Sequence, residues 1–315
     1  MRVYPPMHAH DHSHGHLQGR AHHAHHHPRP PLHSQRYSIA LALNLAFVAA
    51  EAAAGFFSNS TALLSDAAHN LSDVLGLALA GGAAWLAARA PSTQRTYGFG
   101  KATVLAALAN ALILVAASGA IGWEAARRLA APETIEPLLV MAVAGVGVLV
   151  NGATALLFLR DQAHDINARG AFLHMAADAA VSFAVIAAGF LIWRTGAAWI
   201  DPALSLIVVA VILWSTWGLL KDSLNMALDA APANIDVAAV RAHLESLEGV
   251  SAVHDLHVWA MSASELSLTA HLVRAGGGDD DFLHAATQSI AHRFGIEHVT
   301  LQIERARRDE CGEHV

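Results

Sequence analysis

The chain has 315 residues, of which 54% are hydrophobic and only 14% charged, against roughly 25% charged in an average soluble domain. Net charge is −7 with neutral histidines, and lysine occurs only at Lys101 and Lys221, which excludes the concentrated basic surface of a nucleic-acid binder. The single cysteine, Cys311, supports neither a disulfide framework nor a four-cysteine zinc site within one chain.

Residues 1 to 36 hold eleven histidines, in runs such as His8 to His16 and His22 to His27, and prolines close the segment. Without an apolar face this arm is expected to be disordered. Neutral imidazole at that density suits it to collecting divalent metal, and its spacing is too irregular for a common tag. The start lacks a basic region followed by an apolar region and a cleavage site, so membrane entry is expected to rest on the first spanning helix.

From Tyr37 long apolar runs begin. At about 20 residues per crossing, six fit, over residues 38–57, 63–87, 102–123, 138–160, 171–193 and 202–220. Asp201-Pro202 reads as an N-cap followed by proline at the first helical position. If the spans alternate, Arg36, Arg89, Arg95, Lys101, Arg160, Arg169 and Lys221 fall on one side, against Arg127, Arg128 and Arg194 on the other. The positive-inside rule then puts both termini in the cytoplasm, with the cell membrane, a bacterial inner membrane, as the location.

After Lys221 hydropathy falls. Ile235 to Leu247 reads as an amphipathic helix, Ala252 to Ala260 as a strand, and Glu265 to Arg274 as a strand with Leu266, Leu268, Ala270 and Leu272 on one face. A helix from Asp279 to Phe294 and a strand from Glu297 to Glu304 complete an αββαβ unit, ferredoxin-like but one strand short. The expected organisation is a histidine-rich arm (1–36), a six-helix α-helical membrane domain (37–220) and a cytoplasmic α+β domain (221–315).

Within the spans stand His69 and Asp73, and again His174 and Asp178, each pair at four-residue spacing. An ionisable side chain at that depth costs about 2.5 kcal/mol or more unless it has a partner or a purpose. Spacing of i, i+4 puts each pair on one helical face, so two helices could offer two imidazoles and two carboxylates to one ion. That donor set suits tetrahedral Zn2+, with Co2+ and Cd2+ also admissible, whereas Mg2+ and Ca2+ prefer six or more oxygens. An emptied site would leave two negative charges in lipid, so metal and protons are expected to displace one another, as in a proton antiporter working by alternating access. Asp66 shares the face of His69 and Asp73. Asn44 and Glu51 share a face of the first span, while Asn110 and Asn151 read as interhelical hydrogen-bonding groups.

The segments Ser65-Asp-Ala-Ala-His69-Asn-Leu-Ser-Asp73, Tyr97-Gly-Phe-Gly-Lys101, His174-Met-Ala-Ala-Asp178, Asp201-Pro-Ala-Leu-Ser205 and His254-Asp-Leu-His257-Val-Trp259 together resemble the cation diffusion facilitators, in particular their zinc-transporting branch. The resemblance covers residues 37 to 305. It implies six transmembrane helices, a cytoplasmic αββαβ domain, a homodimer, and export of Zn2+ from the cytoplasm in exchange for protons. It also implies that His69, Asp73, His174 and Asp178 are the transport ligands. In the cytoplasmic domain, His254 and His271 are similar to positions where the family binds a regulatory zinc ion at the dimer interface. Glu304 and His257 are the further candidate ligands there, His271 and Glu304 lying opposite the apolar alternation of their strands. The chain departs from the family at Thr103, where a carboxylate is frequent, at Gln302, where some relatives carry histidine, and in the connector after the fourth span, which has only His164 and Asp165.

Two other classes use similar residues. An intramembrane metalloprotease needs an open coordination position and a general base, and no His-Glu-x-x-His motif is present. A membrane-anchored metal sensor would confine its chemistry to the cytoplasmic domain, which leaves ligands inside the spans without a use. A transporter, not an enzyme, is the expectation.

Overall fold

The computed structural model describes residues 35–159 and 166–307. The histidine-rich arm, the connector with His164 and Asp165, and the tail with Cys311 lie outside the described residues. Six long helices come first: α1 Gln35–Phe57, α2 Thr61–Ala87, α3 Lys101–Ala130, α4 Pro137–Phe158, α5 Ile166–Thr195 and α6 Ile200–Ala227. Helices α2 to α6 are each long and apolar enough to cross a membrane, and α1 contributes the shorter apolar stretch Leu45–Phe57 among its described residues. Large apolar side chains such as Leu149, Leu157, Phe183, Trp214 and Trp217 point outward from the bundle, as they must where lipid replaces water as solvent. Several helices outrun their expected spans: α3 continues to Ala130, α5 starts at Ile166 and α6 carries on to Ala227. The polar turns at their ends stay helical because a helix satisfies its own backbone and can project beyond the apolar layer.

One expectation is overturned at the start of α6. Asp201 does not cap its own helix, whose N-cap position is Trp199. Its carboxylate instead reaches across to the N-terminus of α2, accepting from Thr61 N at 2.6 Å, Thr61 Oγ1 at 2.8 Å and Ala62 N at 3.3 Å, and from the hydroxyl of Ser60. Ser60 is the N-cap of α2 and accepts from Leu63 N. One turn further in, Ser65 and Ser205 are hydrogen-bonded at 2.7 Å. An anion at a helix N-terminus offsets the unsatisfied amides and the positive end of the helix dipole, and here it also fastens α2 to α6.

The remaining elements are α7 Val237–Glu245, β1 Val250–Ala260, β2 Leu266–Arg274, α8 Asp280–Phe294 and β3 His298–Glu304, the αββαβ order read from the sequence. Asp236 caps α7 and Asp279 caps α8, which ends on Gly295 in the left-handed conformation. The sheet order is β1-β2-β3, with β1 and β2 antiparallel and β2 and β3 parallel. The parallel pair is joined through α8, the crossover that parallel neighbours require. The anticipated apolar face is the core: Leu268, Ala270 and Leu272 pack with Val253, Val258, Val240, Leu244, Ile290 and Ile296, and Val299, Leu301 and Ile303 close over them. The opposite face of the sheet carries His254, His271 and Glu304.

Candidate metal centre

Helices α2 and α5 each bring one His-x-x-x-Asp pair to the same place. His69, Asp73, His174 and Asp178 offer ligand atoms that all lie within 4.8 Å of one another. His174 Nε2 is 3.2 Å from Asp73 Oδ2 and 3.6 Å from Asp178 Oδ2, while His69 Nε2 is 3.5 Å from Asp178 Oδ1 and 3.8 Å from Asp73 Oδ2. Each aspartate therefore faces both histidines. Zinc bonds of about 2.0 to 2.2 Å arranged tetrahedrally put their donor atoms about 3.3 to 3.6 Å apart, close to these separations. The two imidazoles meet edge to face, with centroids 5.9 Å apart, so that both Nε2 atoms converge on the carboxylates.

The four are unequally sheltered. The Asp178 side chain is 4% exposed, whereas Asp73 and His174 are 38% and 42% exposed. Beside them lies a cavity of about 440 Å3, lined by Asp66, His69, His174 and Asp178 at its polar end and by aliphatic residues of α5 and α6, among them Val181, Leu204 and Val208. Asp66 does not join the four: its Oδ2 accepts from Ser182 Oγ at 3.0 Å. Glu51, fully buried, accepts from Asn70 Nδ2 at 3.0 Å. Asn110 accepts from Ser72 at 3.5 Å, linking α3 to α2 as an interhelical group. Asn151 is buried, and its Nδ2 has no partner among the described residues.

A second cluster stands on the face of the sheet opposite its core. His254 and His271 are register partners on β1 and β2, with rings 5.1 Å apart, and Glu304 of β3 bridges them. His254 Nε2 is 3.1 Å from Glu304 Oε2, and His271 Nδ1 is 3.3 Å from Glu304 Oε1. His257 does not join this group. It lies 3.0 Å from Asp255 Oδ1, and the other oxygen of Asp255 is 3.5 Å from His271 Nε2. The reason is local: the ladder shifts register between His254 and His257, and Asp255 sits there with a left-handed φ of 50°, a conformation that aspartate tolerates better than most residues.

Asp255 was not among the residues read from the sequence. A bulge has no periodic signature, and the only signal was an acid flanked by two histidines in His254-Asp-Leu-His257. The hydrogen bond from His257, with the nearby charges of His257, His271 and His254, outweighs partial burial and holds Asp255 below the ordinary carboxylate range. Burial pushes Glu304 upward, but hydrogen bonds from Gln302 and His254 and the charges of His254 and His271 more than offset it, leaving Glu304 below that range too.

Comparison with known proteins accords with this geometry. Residues 38–226 match the family model described as the cation efflux transmembrane domain, and residues 232–306 match that of the cation efflux protein cytoplasmic domain. The metal cation efflux system protein CzcD of Cupriavidus metallidurans is 38% identical over 270 residues, 85% of each chain. The zinc transporter ZitB of Escherichia coli is 36% identical over 276 residues, covering 86% of this chain and 88% of its own. The cadmium, cobalt and zinc/H(+)-K(+) antiporter of Bacillus subtilis is 34% identical over 263 residues, covering 81% of this chain and 83% of its own. Among solved structures, the metal-bound C-terminal domain of the CzcD transporter from Cupriavidus metallidurans is 36% identical, covering 22% of this chain and 99% of that one, at a TM-score of 0.20. With both family models together spanning most of the chain, and relatives of this similarity aligned along most of their own length, the chain belongs to the cation efflux family, the cation diffusion facilitators, and is a multi-pass membrane transporter of metal cations.

Proposed function

We propose that this transporter exports Zn2+ from the cytoplasm in exchange for protons, with His69, Asp73, His174 and Asp178 as the transport ligands. The observation that carries the reading is the convergence of two imidazole nitrogens and two carboxylates, from two helices, at separations close to the edges of a zinc tetrahedron. Two aspartates neutralise a divalent ion, so the loaded site adds no net charge to the bundle. The lone pairs that bind the metal also bind protons, and occupancy by one excludes the other. Names of the relatives support both halves: one is a zinc transporter, and another is a cadmium, cobalt and zinc/H(+)-K(+) antiporter. Co2+ and Cd2+ have the same donor preferences within a smaller margin and are expected as secondary substrates.

The charge pattern supports a cytoplasmic sheet domain. Lys101, on the more basic side, contacts Asp229 just after α6 and Ala260 O at the end of β1, whereas Arg128 contacts Asn59 O in the α1–α2 turn. The basic side is therefore the side of the sheet domain, and the positive-inside rule makes it cytoplasmic, with both termini there and the protein in the bacterial inner membrane. The sheet domain acts as the dimerising domain of a homodimer. The cluster of His254, His271 and Glu304 binds a regulatory Zn2+ with His257 and Asp255 behind it, and the histidine-rich arm collects divalent metal.

Zinc uptake into inside-out proteoliposomes tests the main reading. Wild type is expected to move zinc with counter-movement of protons, faster when the lumen is acidic, while Asp73→Ala and Asp178→Ala abolish flux. Zinc flux indifferent to an imposed pH gradient would remove the antiport half. Flux that survives both substitutions would remove the site.

A further inference from the structure

Behind the four-residue cluster, Glu51 of α1 and Asp66 of α2 are both buried, at 0% and 1% exposure. Their carboxyl groups are near enough to act directly on each other. Each has one oxygen served by a neighbour: Glu51 Oε2 accepts from Asn70 Nδ2, and Asp66 Oδ2 accepts from Ser182 Oγ, both at 3.0 Å. The remaining oxygens, Glu51 Oε1 and Asp66 Oδ1, are buried with no hydrogen-bond donor among the described residues. Two acceptor-only carboxylates cannot bond to each other, and like charges at close range in a buried site repel. Among the described residues, Lys101 pairs with Asp229, and Arg127 and Arg128 pair with Glu124, so these three cations do not compensate the pair.

We propose that Glu51 and Asp66 share one proton, and that this bridged acid pair is a positioning element holding α1, α2 and α5 together behind the metal cluster. Asn70 follows His69 directly on α2, and Ser182 stands one turn beyond Asp178 on α5. The chain Asn70, Glu51, Asp66, Ser182 therefore links the two helices that carry the histidine–aspartate pairs through α1, which carries none of the four. Gly147 of α4 makes room for it: a Cβ there would come within 2.9 Å of Ser182 Oγ. A bound metal ion in place of the proton fits the donor set less well. The hydrogens of Asn70 and Ser182 point at the carboxylates, as in a hydrogen-bonded acid pair, whereas a hard cation gathers six or more oxygens with their lone pairs facing inward.

This proposal rests on the four-residue cluster being the transport site, and its test separates the two. Wild type, Glu51→Gln, Asp66→Asn and Glu51→Ala are reconstituted and measured for zinc flux and for the infrared carbonyl band of a protonated carboxylic acid. An amide keeps both the donor and the single negative charge of the bridged pair, so Glu51→Gln and Asp66→Asn retain flux within about threefold, while Glu51→Ala, which strands Asp66, loses about tenfold or more. The acid band is present in wild type and absent in Glu51→Gln. No acid band in wild type, its persistence in Glu51→Gln, or a glutamine variant as inactive as the alanine variant with flux that depends on Na+ or K+ would overturn the acid pair. None of these outcomes bears on Asp73 and Asp178, whose alanine variants test the transport site separately.

Discussion

Asp73 and Asp178 are chemically alike but differently placed, Asp178 enclosed and Asp73 open on one side. Because each faces both histidines, removal of either takes away, at the proposed transport site, one ligand and half of the charge balance. Replacing an outer-sphere group at a metal site typically costs 10- to 100-fold in affinity. Asp178→Ala, which deletes an inner ligand, is therefore expected to weaken zinc binding by more than about 100-fold, read by zinc titration of purified protein against a competing chelator. In the cytoplasmic cluster the depressed groups are Glu304 and Asp255. A carboxyl whose folded pKa lies below its unfolded value contributes stability that is fully present above the unfolded pKa and lost as pH falls through the folded one. Metal-free protein should therefore lose protection of its β1–β3 amides on acidification through and below the ordinary carboxylate range. Glu304→Gln should flatten that dependence and lower stability at neutral pH. Hydrogen exchange at stepped pH measures it, and an unchanged pH profile in the variant would count against the ion-pair account.

At the scale of elements, the tie between α2 and α6 is made by one carboxylate with four donors around it. Asp201→Ala leaves those buried donors unsatisfied and is expected to cost about 3 kcal/mol, seen as a lowered thermal midpoint in detergent. Asp201→Asn keeps an acceptor and should cost less. The α1–α2 hairpin depends on close approach at Gly55, where a Cβ would meet Leu64 Cγ at 2.9 Å and Leu64 N at 3.1 Å. Since the second of these is backbone and cannot swing aside, Gly55→Ala should cost about 1–3 kcal/mol by overpacking, measured in the same assay. A midpoint equal to wild type would show that the hairpin opens without penalty.

Across the whole molecule, the joint between the membrane helices and the sheet domain runs through the start of α3. Lys101 Nζ donates to Met226 O and Ala260 O at 2.9 Å each and pairs with Asp229, and Thr103 Oγ1 accepts from Ala263 N at 2.9 Å. Tyr97 stacks edge to face on His298. Thr103 is thus part of the joint. If cytoplasmic zinc acts on transport, this contact is the route by which it does so. Lys101→Ala is expected to leave zinc binding at both clusters intact while reducing flux by about fivefold or more, the lower end of ordinary coupling energies. Parallel binding and flux measurements on one preparation check it, and a loss of binding at either cluster would point to misfolding instead.

Much of this protein was legible before any coordinates, because the strongest signals were local. Apolar runs of membrane-crossing length follow from the need to satisfy every backbone group in lipid. The i, i+4 pairs of His69 with Asp73 and His174 with Asp178 place their side chains on one helical face whatever else the chain does. Alternation in Leu266 to Leu272 marks a strand with one buried face in the same way. What a local pattern cannot carry is which distant group answers which. Asp201 looked like a cap for its own helix and caps α2, since a carboxylate goes to the nearest unsatisfied amides in space. His257 reads as a further candidate beside His254 and is turned away by a bulge at Asp255. Glu51 and Asp66 lie on separate helices, and nothing in the spacing of either shows that both are buried behind the same cluster. Those pairings arise from long-range contact within a dry interior, where a buried polar group must find its partner wherever the fold supplies one.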